Sequence, residues 1–234
     1  MKNILITGVA GELGILLCNE FINKEIDVYG IDHIDRDGHI GLDFIGRNAF
    51  FHFYNKSIEE VDWEEFEKVG FIFHLAQNFP KTNELSEVKS VIQNHQRNMK
   101  QVVQYAAEQN SKIILVSTMD VYGNEDEPFL TERVPSPANL YGTLMLTEET
   151  LLSQAADHYE VEYQIMRIPK ILGCSNPIME RCYTIDKLEK GGDSDQTREF
   201  SNNFTITKEK FIMSCNQLLT GTPSEKIVTF YEKT

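Results

Sequence analysis

Cysteine and positive charge are both scarce in this chain. The four cysteines, Cys18, Cys174, Cys182 and Cys215, fall into no CxxC spacing. They read as reduced thiols of a cytoplasmic protein and argue against a disulfide scaffold or a structural zinc. Lys and Arg total 22 against 36 Asp and Glu, a formal charge of -14. So acidic a surface repels phosphate backbones and anionic lipid, which argues against nucleic acid and membrane partners. A local basic pocket for a phosphate stays compatible with it. No apolar run approaches the roughly 20 residues of a membrane span. The opening residues run directly into a strand and a glycine turn, and no secretory signal is expected. His33, His39, His52, His74, His95 and His158 show no HxxxH spacing, so no metal site is expected. There is no internal repeat and no low-complexity stretch.

What is present is a chain of 234 residues, 41% hydrophobic, enough for one large core. Short β-rich runs alternate with helical patterns. Strands are predicted at Ile4–Thr7, Ile26–Asp32, Phe50–Tyr54, Phe71–Ala76, Lys112–Ser117 and Val161–Arg167. Helices are predicted at Glu12–Asn23, Ser86–Gln109 and Tyr141–His158, each with apolar residues at helical spacing. This alternation implies right-handed βαβ crossovers: an α/β, Rossmann doubly wound parallel sheet with helices on both faces and a small C-terminal cap. After Gly173 the pattern changes: a helix over Pro177–Lys190, a polar loop over Gly191–Asn203, a helix over Thr207–Leu219 and a strand over Lys226–Tyr231. The expected division is 1–173 as a dinucleotide-binding domain and 174–234 as a reduced substrate-binding region.

The sharpest signal is the run Thr7-Gly8-Val9-Ala10-Gly11-Glu12-Leu13-Gly14 between strand and helix. Gly8 permits a tight turn, Gly11 lets backbone approach a pyrophosphate, and Gly14 lets the helix pack on the sheet. The helix N-terminus then faces the phosphates. Asp32 closes the second strand, 18 residues past Gly14, where a carboxylate binds a ribose diol and repels a 2′-phosphate. That favours NAD, while Arg36 nearby keeps NADP open. Other features have simpler readings: Phe50–Tyr54 as core rather than an adenine stack, and Glu59–Glu65 as a solvated helix face with Trp63 and Phe66 buried.

The TGxxGxxG spacing resembles the extended short-chain dehydrogenase/reductases, the NAD-dependent epimerases and dehydratases of nucleotide sugars. Further segments carry the resemblance over most of 1–173. His74-Leu75-Ala76-Gln77 is similar to the family's HLAA, Ser117-Thr118-Met119-Asp120-Val121-Tyr122-Gly123 to SSxxVYG, Tyr141 to the Tyr of YxxxK, and Arg167-Ile168-Pro169 to RxP. The resemblance implies a cofactor site of Gly8, Val9, Ala10, Gly11, Glu12, Leu13, Gly14, Asp32, Asn55, Leu75, Ala76, Gln77, Asn98, Ser117, Tyr141 and Pro169. It implies Tyr141 and Thr118 as catalytic residues and a nucleotide sugar as substrate. The chemistry it implies is hydride transfer, with the Tyr hydroxyl taking a proton from the substrate alcohol. It also implies a homodimer through the two long helices, with Leu151 and Leu152 as either interface or core.

Two features depart from the family pattern. Met145 stands where the Lys of YxxxK belongs, on the same helix face as Tyr141. An ordinary tyrosine has a pKa of about 10, and a shift of two to three units is worth roughly 3–4 kcal/mol. Fully expressed in the barrier, its loss is a factor of about 10² to 10³ in rate. Lys170, in the loop after Arg167-Ile168-Pro169, is a candidate substitute cation, with a solvated loop lysine as the simpler reading. The second departure is a short C-terminal region, which leaves a shallow substrate pocket. Asp120 replaces a small residue and offers an acid for elimination. The expectation is therefore an NAD(P)-dependent epimerase/dehydratase-like oxidoreductase; the alternative is a catalytically impaired dinucleotide-binding sensor or accessory subunit.

Overall fold

The computed structural model describes residues 3–34, 42, 45–82, 84–123, 133–174, 204–221, 225–230 and 232–233. In chain order the elements are β1 (Asn3–Thr7), α1 (Glu12–Ile22), β2 (Val28–Asp32), β3 (Phe51–Asn55), β4 (Val69–His74), α2 (Leu85–Gln109), β5 (Lys112–Thr118), α3 (Leu140–Tyr159) and β6 (Tyr163–Ile168). Then come β7 (Lys170–Ile171), β8 (Phe204–Ile206), α4 (Lys208–Thr220), β9 (Ile227–Thr229) and β10 (Glu232–Lys233). Seven strands form one sheet in the order β3-β2-β1-β4-β5-β6-β9. All its pairings are parallel. β10, β8 and β7 make a small second sheet. The doubly wound α/β architecture expected from the alternation is the one found.

Successive strand residues supply opposite cores. Ile4, Ile6, Ile114 and Val116 join one cluster with Leu17, Phe21, Phe211, Cys215 and Leu218 from α1 and α4. Leu5, Ile113 and Leu115 join the other with Met99, Val102, Leu152 and Ala156 from α2 and α3. This period of two explains why the strands read as continuous apolar runs: both faces are covered. Helix ends follow ordinary capping chemistry. Asn139 accepts the Gly142 N–H at 2.7 Å and Thr207 accepts the Lys210 N–H at 3.2 Å.

The last part of the chain contributes to the main sheet and its helix layer. β9 extends the main sheet beside β6, and α4 packs on α1, where Lys208 meets Glu12 at 3.1 Å and Asn216 meets Glu20 at 2.9 Å. One strand and one helix of the main layers thus lie beyond residue 173. The helix expected at 177–190 and the loop at 191–203 lie outside the described residues.

Three smaller expectations are corrected or decided. The acidic run is not one helix face but two 3-10 turns, Ile58–Glu60 and Trp63–Glu65. Ser57 and Asp62 each cap a new turn, which leaves no room for an α-helical one. Phe51 is buried in the core and stacks on Phe53, so the aromatic run is strand packing. Leu152 is fully buried and belongs to the core, not to an outer helix face.

Candidate active site

The glycine turn lies between β1 and α1, where the strand order reverses across β1 and β4. Gly8 has φ +74°, and a Cβ there would lie 2.7 Å from the Ala76 nitrogen. A Cβ on Gly14 would lie 2.5 Å from the Gly8 carbonyl oxygen. Both positions accept only hydrogen. Gly11 differs: a Cβ there would meet, among the described residues, only the Gly8 oxygen at 3.3 Å. Gly11 is the N-cap of α1 and supplies no side-chain cap, so the first amides of the helix face the open side of the turn. Val9 and Ala10 are buried, Leu13 packs on the core, and Glu12 is held by Lys208.

Asp32 sits beside this turn. One carboxylate oxygen accepts the Ala10 N–H at 2.8 Å and the other the His33 N–H at 2.9 Å. Asn55, one strand away, accepts the Ile34 N–H at 2.9 Å and donates to the Ile34 carbonyl at 3.2 Å. It thus pins the segment leaving β2.

The end of β4 is tied to the end of β1 through Thr7. The Thr7 hydroxyl accepts the Leu75 and Ala76 N–H groups, each at 3.3 Å, and lies 2.8 Å from His74 Nδ1. With both lone pairs used, Thr7 donates to Nδ1, and His74 carries its proton on Nε2. Burial, then the neighbouring His95, lowers the His74 pKa to about 4. His74 Nε2, Gln77 Nε2 and Asn98 Oδ1 are buried without a hydrogen-bond partner among the described residues.

Thr118 ends β5, and Tyr141 packs on the turn that follows it. Thr118 caps the turn Met119–Tyr122, accepting the Asp120 N–H at 3.2 Å and donating to Asp120 Oδ2 at 2.7 Å. Tyr141 lies in the first turn of α3. Its close seat depends on Gly142, where a Cβ would lie 2.5 Å from the Asp120 carbonyl oxygen. Tyr141, Met119, Val121, Tyr122 and Met145 form one apolar cluster, and Met145 is only 1% exposed. The Phe79 ring covers Tyr141, with centroids 5.2 Å apart. Lys170 opens β7 with its side chain in solvent, and Pro169 before it is buried.

Two consecutive glutamates of α3 point into the protein. Glu149 takes a bidentate contact from Arg167, with Nε at 2.9 Å and Nη2 at 2.5 Å, and the Ser117 hydroxyl at 2.5 Å. Arg167 also donates to the Tyr122 hydroxyl at 2.7 Å. Burial opposes the guanidinium charge, but the Glu149 bonds more than offset it, and the Arg167 pKa is raised. Ser117, expected at the cofactor, thus has its hydroxyl committed to this network. Glu148 faces α2 instead, with Oε1 3.1 Å from His95 Nδ1. Burial raises its carboxyl pKa to about 8.

The family follows from a sequence model for the NAD dependent epimerase/dehydratase family, which matches residues 4–201. The chain belongs to that family. No curated protein sequence matches it. The family's solved structures share the fold at low identity. UDP-glucuronic acid 4-epimerase from Bacillus cereus, in complex with UDP-glucuronic acid and NAD, superposes with a TM-score of 0.78 at 20% identity, over 99% of this chain and 78% of that one. UDP-glucose 4-epimerase from Thermotoga maritima gives 0.73 at 20% identity, over 99% and 77%. The NAD-dependent NDP-hexosamine 5,6-dehydratase TunA gives 0.72 at 18%, over 99% and 76%.

Within this family fold, the sequence-predicted residues fall into three groups. Gly8, Gly11, Gly14, Asp32, Leu75, Ala76 and Gln77 gather at the β1/β4 crevice. Thr118 ends β5, and Tyr141 lies in the first turn of α3, which packs on the turn after Thr118. Asn55 and Ser117 instead hold neighbouring protein groups. Thr7, His95, Glu148, Glu149 and Arg167 were not singled out for these roles. A signal existed for two of them: His95 interrupts the apolar face of α2, and Glu148 falls two turns after Tyr141 on the face of Met145.

Proposed function

We propose that this chain is an NAD-dependent epimerase or dehydratase of nucleotide sugars. The observation that carries the reading is that the glycine turn after β1, whose Gly8 and Gly14 admit no side chain, and the Thr118–Tyr141 region after β5 lie at the same end of one parallel sheet. The residues present fit the dinucleotide. Gly11 leaves the end of α1 open to a pyrophosphate, and Gln77 Nε2 and Asn98 Oδ1 are buried polar atoms in want of partners. Asp32 places a carboxylate where an adenosine ribose diol would bind. Its charge opposes a 2′-phosphate and so favours NAD over NADP.

Bound NAD would supply the hydride acceptor for a substrate alcohol. The chain's part is to move a proton and hold the reacting oxygen. Tyr141 would accept the alcohol proton. Thr118 donates its proton to Asp120 here; to hold the reacting oxygen while Tyr141 takes that oxygen's proton, its hydroxyl would turn from Asp120 and donate to the substrate oxygen. Asp120, 8% exposed, is the acid nearest this hydroxyl and is the group we assign to an elimination if the chain is a dehydratase. A second reading, a dinucleotide-binding sensor or accessory subunit, is favoured by one observation: the position one turn after Tyr141 holds a buried methionine. The free thiols of Cys18 and Cys215 agree with a reducing, cytoplasmic setting. A homodimer through α2 and α3 belongs to the same proposal, and light scattering of the purified protein tests it.

The experiment is thermal unfolding with NAD, NADP, UDP-glucose and UDP-glucuronic acid, alone and combined. The enzyme reading expects a rise with NAD and a further rise with a nucleotide sugar. A rise with NAD alone supports the sensor reading. No rise with either dinucleotide, in protein shown to carry none, overturns both. Asp32→Ala is expected to narrow the gap between NAD and NADP affinity by roughly tenfold, about 1.4 kcal/mol.

A further inference from the structure

The first residue of α1 is acidic, and the functional reading leaves that charge unexplained. Glu12 follows Gly11 and stands in the first turn of the helix whose amides face the open side of the glycine turn. An acid suits the positive end of a helix on its own account. At an anion site it is a competitor, because it brings a negative charge to the place a diphosphate needs. The chain answers with a cation. Lys208 Nζ lies 3.1 Å from Glu12 Oε1, and the two side chains are 34% and 36% exposed.

Three observations tie Lys208 to Glu12 rather than to its own helix. Lys208 is the first residue of α4, behind the Thr207 cap. A cation there is opposed by the α4 macrodipole, so α4 gains nothing electrostatic from it. Next, α4 runs parallel to α1. Lys208 meets Glu12 at their starts, and further along Asn216 donates to Glu20 and accepts from Lys24. A packed helix thus delivers the ammonium to the start of α1. Finally, the turn after β7 closes on the pair from a third side. Gly173 has φ +74°, and a Cβ there would lie 3.7 Å from Lys208 Cε. The Cys174 thiol donates to Glu12 and accepts from Lys208. The Glu12 bond is the largest cause of a raised Lys208 pKa, so the lysine stays charged.

We infer that Lys208 is a positioning residue for the dinucleotide: it neutralises Glu12 at the mouth of the glycine turn, so that the turn takes a diphosphate with no carboxylate opposing it. Dinucleotide affinity is thereby set in part by α4. The inference rests on the functional reading for the ligand, but not for the ion pair. Lys208 acts through Glu12 and is not itself a phosphate ligand. A counter-ion matters only while Glu12 carries its charge. A direct ligand would matter with or without it.

Lys208→Met, Glu12→Gln and the double variant separate these roles, with Lys208→Arg keeping the charge. NAD affinity is measured by calorimetry on each full chain, and thermal unfolding without ligand checks that each is folded. In about 20 mM salt, Lys208→Met is expected to weaken NAD binding by about fivefold, the order of one partly exposed ion pair. In the Glu12→Gln background the same substitution is expected to cost less than about twofold. Lys208→Arg is expected to recover binding to within about twofold of the wild type. In about 0.5 M salt, the loss in Lys208→Met relative to wild type should shrink to about twofold, because an exposed pair is screened. A loss caused by disturbed packing of α4 would not shrink. The inference is overturned if Lys208→Met binds NAD as the wild type does, if its loss is the same in both backgrounds, or if the loss ignores salt. In each of these cases the wild type still binds NAD and the functional reading stands. If wild type shown to carry no cofactor binds no NAD, the functional reading fails and takes this inference with it.

Discussion

Glu148 and Glu149 are neighbours on one helix, both buried, and the protein treats them in opposite ways. Glu149 receives a guanidinium and a hydroxyl, with its charge matched and its acceptors used. Glu148 is approached at 3.1 Å by a histidine whose other nitrogen is already engaged, and among the described residues its Oε2 has no hydrogen-bond partner. The difference lies in what each turn of α3 faces. One side meets β5 and β6, where Arg167 is anchored between strands. The other meets α2 near the crevice, where Met145 leaves an apolar wall. A buried charge is kept where a second charge is fixed beside it, and a buried acid is kept neutral where none is.

Breaking the matched side should have the largest effect. Arg167→Met strands the Glu149 carboxylate and is expected to cost about 3–5 kcal/mol of stability, read from denaturant unfolding. Changing the apolar wall tests the contrast directly. Met145→Lys would give Glu148 a cation three residues away on the same face. If Tyr141 works as proposed, the turnover of a nucleotide sugar should rise by up to about 10²-fold. The melting temperature should fall slightly, because an ammonium enters a closed apolar cluster. An unchanged rate in folded, NAD-bound variant would remove Tyr141 from the chemistry.

The mildest test removes only the titration. The native Glu148 pKa of about 8 lies above the unfolded value of 4.5. The native state therefore keeps a proton that the unfolded chain releases. Its contribution to stability falls as pH rises from about 4.5 to about 8 and is level above that. Glu148→Gln lacks this slope, so its melting temperature should gain on the wild type by roughly 5 °C or more between pH 5 and 8. His74 acts in the opposite sense: its lowered pKa withdraws stability as pH falls from about 6.5 towards 4.

The layers of this fold were readable because their causes are local. Ile4–Ile6 and Ile113–Val116 are apolar on both faces, and only a covered parallel strand accepts that. Gly8 and Gly14 were readable for the same kind of reason: each abuts backbone at a distance no Cβ can share. Thr118 and Tyr141 were singled out by motif, and the packing of Gly142 on Asp120 seats α3 against the turn after Thr118. The His95–Glu148 pair was not legible. Its meaning depends on two helices 53 residues apart in these positions lying at one particular rotation, which periodicity alone leaves free. The acidic run was misread because Ser57 and Asp62 restart the backbone every few residues, which composition does not reveal. The chain leaves β6 for β7 and returns to the main sheet as β9, an excursion in sequence that the break in pattern after Gly173 does not reveal.

That excursion bears on how the protein is made. Lys208 and Glu12, which join α4 to α1, are separated by 196 residues of chain. During synthesis, the apolar face of α1 that Phe211, Cys215 and Leu218 will cover waits until nearly every other element has emerged. The nascent chain therefore carries a sticky, half-built layer for most of its time on the ribosome, open to chaperones and to misassembly alike.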